Sequence, residues 1–236
     1  MSSEVSSQVE MNTGNKPEVV DLFPIPLVIE PIPVDKEELE FAILYLSNQE
    51  NLYMNSDKNY SSKDSYILNL MPKLNKQIEN SLSLYIPNIL GENSNLKITQ
   101  SWLNFNPPGT SHHHHYHPNS IISGIVYLQN DDDTGNIEFH RPASQIRPIL
   151  DDVKNWNKYN FHFVYFTPKV NNMFLFPSSL YHKVTDNKST INRISLSFNT
   201  FYQGVIGSRN SLQELDLRGE NGLLTHPKKG KVAKKR

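Results

Sequence analysis

The sequence predicts a mainly β domain, a sandwich or barrel of short strands with two or so helices packed outside it. Strand-like runs rich in β-branched and aromatic residues follow one another from residue 96 to residue 202. Turn signals such as the segment DDDTG separate these runs. Helical hydrophobic periodicity is confined to the chain before Gly91. A length of 236 residues suits one domain of this kind.

The N-terminal part predicts a polar tail followed by an extended segment. Residues 1–16 have a composition typical of disorder and no apolar core of a secretory signal. Residues 19–34 are apolar, but four prolines exclude a helix and a central strand there, which leaves an extended segment at a sheet edge.

Two amphipathic helices are expected next, with a polar loop over residues 48–65 between them. Asp35 is the expected N-cap of the first helix, and Glu38 completes a capping box. Its predicted apolar face consists of Leu39, Ile43 and Leu46. The second helix should begin at Pro72 and end at about Tyr85, where Pro87 and Gly91 follow. Its predicted apolar stripe consists of Leu74, Ile78, Leu82 and Tyr85.

The remaining strand-like runs give the predicted β domain its order. They are LKITQSWLNFN (96–106), SIISGIVYLQN (120–130), NIEFHRP (136–142), FHFVYFTP (161–168), NMFLFPSS (172–179), LYHKV (180–184) and INRISLSFNTFY (191–202).

The composition limits which ligands and partners this chain can have. The chain has no cysteine, so any metal must be held by His, Asp or Glu. The net charge of -1 conceals six basic residues among the last nine, KKGKVAKKR, which leaves 17 of the 23 basic residues against 24 acidic ones. A nucleic-acid partner is therefore not expected for the domain. The basic tail has two interpretations: a contact with nucleic acid, or a disordered end that keeps the protein soluble. With no span of about 20 apolar residues, we expect a soluble, cytoplasmic protein without a membrane partner.

Histidines mark the candidate metal site. Five of the nine lie in the segment HHHHYH (112–117). In an extended chain, the side chains of His115 and His117 point to the same face. A third imidazole, His182, follows a strong strand and a turn, so that a neighbouring strand could bring it to the first pair. Imidazole ligands suit borderline metals such as Fe(II), Zn or Ni.

A cationic side chain lies in the last of the predicted strands. Arg193 is flanked by Ile191, Ile194 and Leu196, and burying it there is costly unless it meets an anion. Ser195 lies on the same face of the predicted strand. Together they could hold a carboxylate by a two-pronged guanidinium contact and a hydroxyl. The alternatives are an internal ion pair for Arg193 and a purely structural Ser195.

Four segments in order carry a family resemblance: HYHPNSIISGIVYLQ, TGNIEFHRP, FLFPSSLYHKVTDN and NRISLSFN. They resemble the 2-oxoglutarate–Fe(II) oxygenases common in tailed bacteriophage genomes, of the double-stranded β-helix (jelly-roll, cupin-like) superfamily. With SWLNFNPPG and LFPIPLVIE, the resemblance spans roughly residues 22–202. It matches less clearly over residues 143–167.

The resemblance implies a dioxygenase that uses Fe(II), O2 and 2-oxoglutarate to hydroxylate a second substrate, with decarboxylation of 2-oxoglutarate to succinate. It implies that His115 and His182 are metal ligands and that Arg193 and Ser195 hold 2-oxoglutarate, with Tyr127 a weaker candidate for the same co-substrate. The domain would cover residues 17–218, between a tail of residues 1–16 and a basic tail of residues 219–236. The resemblance to phage proteins would place it in the cytoplasm of an infected host cell.

One departure from the superfamily leaves alternatives open. His117 stands where an Asp ligand is usual, so the third ligand is His117 or a carboxylate such as Glu138. A cupin-like three-histidine enzyme without a keto acid, or a non-catalytic metal-binding module, are the competing hypotheses. The other histidines (His112, His113 and His114 as loop residues; His140, His162 and His226 as structural or exposed) have no assigned role. The primary substrate and the oligomeric state are not predicted.

Overall fold

The structure is a computed structural model that describes residues 19–91, 95–142 and 153–218. Its helices are α1 (Lys36–Ser47) and α2 (Pro72–Leu90). Its strands are β1 (Val28–Pro31), β2 (Leu52–Met54), β3 (Tyr60–Ser62), β4 (Leu96–Asn106), β5 (His112–His115), β6 (Ile122–Gln129), β7 (Ile137–His140), β8 (Phe163–Phe166), β9 (Asn172–Pro177), β10 (His182–Val184), β11 (Arg193–Tyr202), β12 (Val205–Ile206) and β13 (Leu215–Asp216). The predicted tails, residues 1–16 and 219–236, lie outside the described residues.

The strands form a large and a small antiparallel sheet that face each other. The seven-stranded sheet has the order β1-β9-β6-β11-β4-β3-β2, and the four-stranded sheet has the order β5-β10-β7-β8. Strands β12 and β13 form a separate pair. The mainly β architecture matches the prediction, and the proline-rich segment supplies β1 at a sheet edge as expected.

The large sheet is apolar on both faces in strands β6 and β9. In β6, Ile125 and Tyr127 pack toward the small sheet, whereas Val126 and Leu128 pack toward the helices. Strand β9 alternates in the same way. Because both faces are covered, these strands are nearly continuous apolar runs instead of alternating ones.

The helices cover the outer face of the large sheet. The predicted stripe of α2 is correct for Leu74, Ile78 and Leu82, which are fully buried; the side chain of Tyr85 lies outside what the structure describes. In α1, however, Ile43 is 43% exposed, and Ala42 takes the buried position expected for it.

Two predicted boundaries were wrong. The predicted loop over residues 48–65 contains the hairpin of β2 and β3, which extends the large sheet. Helix α2 also continues through Pro87, because proline removes only one backbone donor from a helix that is otherwise well packed. It ends at Gly91, whose φ of 89° favours glycine. None of the helices in the described ranges has the length and apolarity needed to cross a bilayer.

Glu38 caps the other helix instead of its own. Asp35 is the N-cap of α1 as predicted, accepting a hydrogen bond from the backbone N–H of Glu37. The predicted capping box was wrong: the carboxylate of Glu38 accepts hydrogen bonds from the backbone N–H groups of Lys73 (2.7 Å) and Leu74 (2.9 Å). These are among the unpaired donors of the first turn of α2, whose own N-cap has no side-chain hydrogen bond.

We therefore expect Glu38→Ala to lower the free energy of unfolding by about 2–4 kcal/mol, since it leaves two backbone donors, that of Leu74 buried, without a charged acceptor at a helix N-terminus. Chemical denaturation would measure the change. Glu40→Ala, which removes an exposed carboxylate from the same helix, is the matched control and should change little. Equal stabilities of the two variants would contradict the cross-helix cap.

Candidate metal and co-substrate site

The inner face of the large sheet turns polar in strands β4 and β11. The alternate residues of β11 that face the helices are Ile194, Leu196 and Phe198. The residues between them face the small sheet and are Arg193, Ser195, Ser197 and Asn199. Buried polar side chains are costly without partners, so a row of them inside a barrel points to a binding site.

Strand pairing brings the three predicted histidines together. His182 in β10 is the register partner of His115 in β5, and His117 lies two residues further along the chain. The ring centroids of His115 and His182 are 4.3 Å apart, and those of His117 and His182 are 5.0 Å apart. One nitrogen from each ring lies within 4.8 Å of the others, which would let the three hold one metal ion.

Backbone carbonyls orient two of these rings. His115 Nδ1 lies 2.7 Å from the carbonyl oxygen of His113, and His182 Nδ1 lies 2.9 Å from that of Leu180. A carbonyl only accepts, so each Nδ1 carries the proton and donates it. Each Nε2 is therefore left with a lone pair, which is the state that a metal ligand requires.

The side chain of Asn199 orients the third ring. His117 Nδ1 lies 2.6 Å from Asn199 Oδ1 and 2.8 Å from Ser123 Oγ. Donation to the amide oxygen leaves His117 Nε2 as an acceptor, only 3.3 Å from His115 Nε2. Two lone pairs at this distance repel each other unless a cation lies between them, so the geometry fits a metal ion.

Burial keeps these rings neutral. It lowers the pKa of His115 to about 4 and that of His182 to about 2, with the neighbouring imidazoles as a further cause. Burial also lowers the pKa of His117, against the opposing effect of its hydrogen bond to Asn199. At neutral pH the nitrogens are therefore free to bind a metal without first losing a proton.

A second group of histidines would need the same ligand atom, His115 Nε2. His112, His113 and His115 also lie close enough to hold a metal ion. Because His115 Nδ1 donates to a carbonyl, its single Nε2 lone pair can serve one ion only. His113 is exposed and lies 2.7 Å from Asp57 through Nδ1. The buried group with His117 and His182 is the one in which all three rings are oriented as acceptors.

Arg193 is a buried cation without a carboxylate partner in the described part of the chain. It is 2% exposed. Its Nη1 donates to the backbone oxygens of Thr134 (2.5 Å) and Thr185 (3.5 Å). Among the described residues, Arg193 therefore does not form the internal ion pair that the sequence left as an alternative. Neutral carbonyls leave its charge uncompensated, and an anion in the cavity would supply what is missing.

The turn before β7 closes around this guanidinium. Gly135 has a φ of 96°, and a Cβ atom there would meet Thr185 O at 2.5 Å and Arg193 Nη1 at 3.0 Å. Glycine is therefore required both by the backbone conformation and by the close approach. The segment DDDTG is thus a turn, as predicted, and also holds Arg193 in place.

The other predicted co-substrate residues differ in their positions. Ser195 lines the same cavity as Arg193 and the three histidines. Tyr127 is its register partner in β6 but is fully buried, and it packs on Phe174 instead of lining the cavity. Its hydroxyl has no hydrogen-bond partner, and burial raises its pKa.

Glu138 points away from the metal site. In β7 it is the register partner of Lys183, whereas Phe139 is the partner of His182. Its carboxylate lies 3.1 Å from Lys183 Nζ, on the outer face of the small sheet. The structure therefore does not bring this carboxylate to the histidines, which leaves His117 as the third candidate ligand.

Sequence reasoning missed the residues that support the site from a distance. His112, His113 and His114 were predicted as loop residues, but they form β5 with His115. Asp57 and Asn59, from the turn between β2 and β3, contact this strand. No local pattern reveals these contacts, whereas Asn199 could have been found because it continues the alternation of Arg193 and Ser195.

The site lies in the part of the chain that matches a known family. Residues 100–199 match the family model described as "Putative 2OG-Fe(II) oxygenase". These residues include all the candidate ligands and the candidate co-substrate residues. A comparison with curated protein sequences finds no match.

Solved structures of similar fold support the architecture. The non-haem α-ketoglutarate-dependent carbocyclase SnoK from nogalamycin biosynthesis is 12% identical, with a TM-score of 0.54 over 75% of this chain and 80% of that one. The epimerase SnoN, in complex with Fe3+, α-ketoglutarate and nogalamycin RO, is 12% identical, with a TM-score of 0.54 over 75% and 79%. HygX from Streptomyces hygroscopicus, with nickel and 2-oxoglutarate bound, is 12% identical, with a TM-score of 0.51 over 75% and 82%. The predicted double-stranded β-helix fold is confirmed.

Proposed function

We propose that this chain binds Fe(II) through His115, His117 and His182 and holds 2-oxoglutarate against Arg193 and Ser195, since residues 100–199 match the 2OG-Fe(II) oxygenase family model. One observation carries the proposal. Two unprotonated imidazole nitrogens 3.3 Å apart and an uncompensated guanidinium line the same buried cavity. Among the described residues, no carboxylate pairs with this guanidinium and no cationic side chain lies between the two nitrogens; Fe(II) with a keto acid would supply both charges.

The residues fit this pair of ligands. Three neutral nitrogen donors on one side of an octahedral ion leave its other positions open, as non-haem iron oxygenases require. The bound metal and 2-oxoglutarate would supply the oxidising chemistry: the keto acid is decarboxylated to succinate, and one atom of O2 hydroxylates a second substrate. The part played by the chain is to hold the rings as acceptors and to keep the buried guanidinium in a position where it can orient a carboxylate.

A three-histidine set changes the charge at the metal. Relative to the usual set with one carboxylate, His117 removes one negative charge, so the metal keeps more positive charge toward anionic ligands. This fits the keto acid, which is a dianion. A cupin-like enzyme without a keto acid would also explain His117, but it would leave Arg193 without an anion.

Anaerobic titration with Fe(II), with and without 2-oxoglutarate, tests the proposal. The expected result is a visible metal-to-ligand charge-transfer band that needs both components. Fe(II) binding without the band would favour the cupin-like enzyme or the non-catalytic metal-binding module. Failure to bind Fe(II) at all would contradict the metal site itself.

Asn199 offers a separate test of how the ligands are oriented. We expect Asn199→Leu to weaken Fe(II) or Co(II) binding by about 10-fold or somewhat more, because His117 loses its best acceptor. Ser123 Oγ, 2.8 Å from the same nitrogen, should limit the loss. Asn199→Asp keeps an acceptor and should bind at least as well as the native chain. Competition with a metal-sensitive dye measures both, and native affinity in the leucine variant would contradict the role.

O2, 2-oxoglutarate and an unidentified second substrate are the partners that follow from the family. Contact of the basic tail with nucleic acid stays a prediction, because the tail lies beyond the described residues.

A further inference from the structure

We propose that His112 is a further co-substrate-binding residue, which donates its Nε2–H to a carboxylate oxygen of 2-oxoglutarate in the cavity of Arg193. This inference rests on the proposed function. It gives a role to a histidine that the sequence pattern left without one.

The position of His112 in the sheet places it in the cavity. His112 in β5 is the register partner of Val184 in β10, just as His115 is the partner of His182. Its side chain lines the cavity together with Val184, Arg193 and Ser195. His114, two residues further along, is instead exposed and stacks on Tyr181. The register between β5 and β10 shifts by one residue between the two pairs, which lets both His112 and His115 face the cavity.

A chain of amides fixes the tautomer of His112. Asn55 Nδ2 donates to Asn59 Oδ1 at 2.6 Å, so that oxygen is the acceptor of the Asn59 amide. Asn59 Nδ2 then donates to the carbonyl oxygen of Ser111 at 2.6 Å and to His112 Nδ1 at 2.9 Å. Rotating the Asn59 amide by half a turn would set its oxygen against the carbonyl of Ser111, so this assignment is the consistent one.

His112 therefore has the opposite tautomer to that of the three candidate ligands. Its Nδ1 accepts a hydrogen bond, so its Nε2 carries the proton and cannot bind a metal. In His115, whose ring centroid is 4.6 Å away, Nδ1 donates and Nε2 is the acceptor. One strand thus presents both a metal ligand and a hydrogen-bond donor to the same cavity.

The charge of the cavity favours a neutral donor at this position. His112 lines the cavity together with the guanidinium of Arg193, and its Nδ1 accepts a hydrogen bond from Asn59, so the neutral ring has its one proton on Nε2. A neutral N–H can bind a carboxylate without adding a cation to a cavity that already holds Arg193 and would hold a metal ion.

The charge-transfer band of the Fe(II)–2-oxoglutarate complex tests the inference in the full chain. We expect His112→Leu to weaken 2-oxoglutarate binding by about 10- to 100-fold, which is the range for losing one hydrogen bond to a charged group. Fe(II) binding without 2-oxoglutarate should be unchanged. His112→Gln, which can present an amide donor, should recover most of the affinity. His114→Leu, from the outer face of the same strand, is the matched control and should bind both components as the native chain does.

Asn59→Leu provides a second route if His112→Leu folds poorly. It releases the ring of His112 to take up either tautomer, so we expect weaker 2-oxoglutarate binding with His112 still present. Native 2-oxoglutarate affinity in His112→Leu, or loss of Fe(II) binding in that variant, would overturn the inference. Absence of the band in the native chain would instead refute the proposed function, and this inference with it.

Discussion

Replacing Arg193 with methionine is expected to abolish the 2-oxoglutarate-dependent charge-transfer band while leaving Fe(II) binding intact. Removing one partner of a buried, hydrogen-bonded charge pair costs about 2–5 kcal/mol, so affinity for the keto acid should fall by roughly 30- to 5,000-fold. Methionine keeps much of the side-chain volume, so the cavity should not collapse. The measurement is anaerobic titration with 2-oxoglutarate at saturating Fe(II).

The same variant separates an effect on 2-oxoglutarate binding from an effect on the stability of the fold. Without 2-oxoglutarate, the guanidinium is buried with only carbonyl partners, so its loss should cost little stability or even raise it. Fe(II) alone should stabilise both proteins, whereas adding 2-oxoglutarate to the Fe(II)-bound protein should stabilise the native chain further and leave Arg193→Met unchanged. Arg209→Met removes an exposed arginine and should behave as the native chain does. Native affinity for 2-oxoglutarate in Arg193→Met would place the keto acid elsewhere.

Much of the β domain could be predicted because local patterns determine it. Strands β4 and β6 to β11 lie within the runs recognised from their residue types, and the turn DDDTG separates β6 from β7 as expected. The alternation of Arg193 and Ser195 against Ile194 and Leu196 marked a polar face within a buried strand. A buried cation in such a strand needs an anion, whatever the rest of the fold.

The contacts between distant segments could not be predicted in the same way. Glu38 was assigned to its own helix because sequence spacing shows only the local cap, whereas the structure brings the first turn of α2 to it. The hairpin of β2 and β3 was hidden in a segment that reads as a polar loop. Its residue Asn59 decides the tautomer of His112, a property that depends on a contact across 53 residues.

The third metal ligand could be predicted only in part from the sequence. Sequence spacing put His115 and His117 on one face, but it could not decide between His117 and Glu138. The register of β7 against β10 separates the two candidates, since it places Glu138 opposite Lys183 and on the outer face. A shift by one residue would have turned the carboxylate inward, because side chains alternate along a strand.

His182 should be the residue on which metal binding depends most. It is 5% exposed, its Nδ1 donates to Leu180 O, and it completes a set that otherwise comes from one short segment. We expect His182→Ala to weaken Fe(II) or Co(II) binding by more than about 100-fold, beyond what the loss of an orienting partner costs. The measurement is Co(II) absorption together with the thermal shift on adding metal.

His140→Ala is the matched control for that experiment. His140 also belongs to the small sheet, but it contacts Glu138 and His114 on the outer face, so its loss should leave metal affinity unchanged. If His182→Ala binds metal as the native chain does, the ion is held by the other group, His112 with His113 and His115. That result would require the opposite tautomer of His112, and with it a different arrangement of its contact with Asn59. The two histidine groups share one lone pair on His115, so one variant distinguishes them.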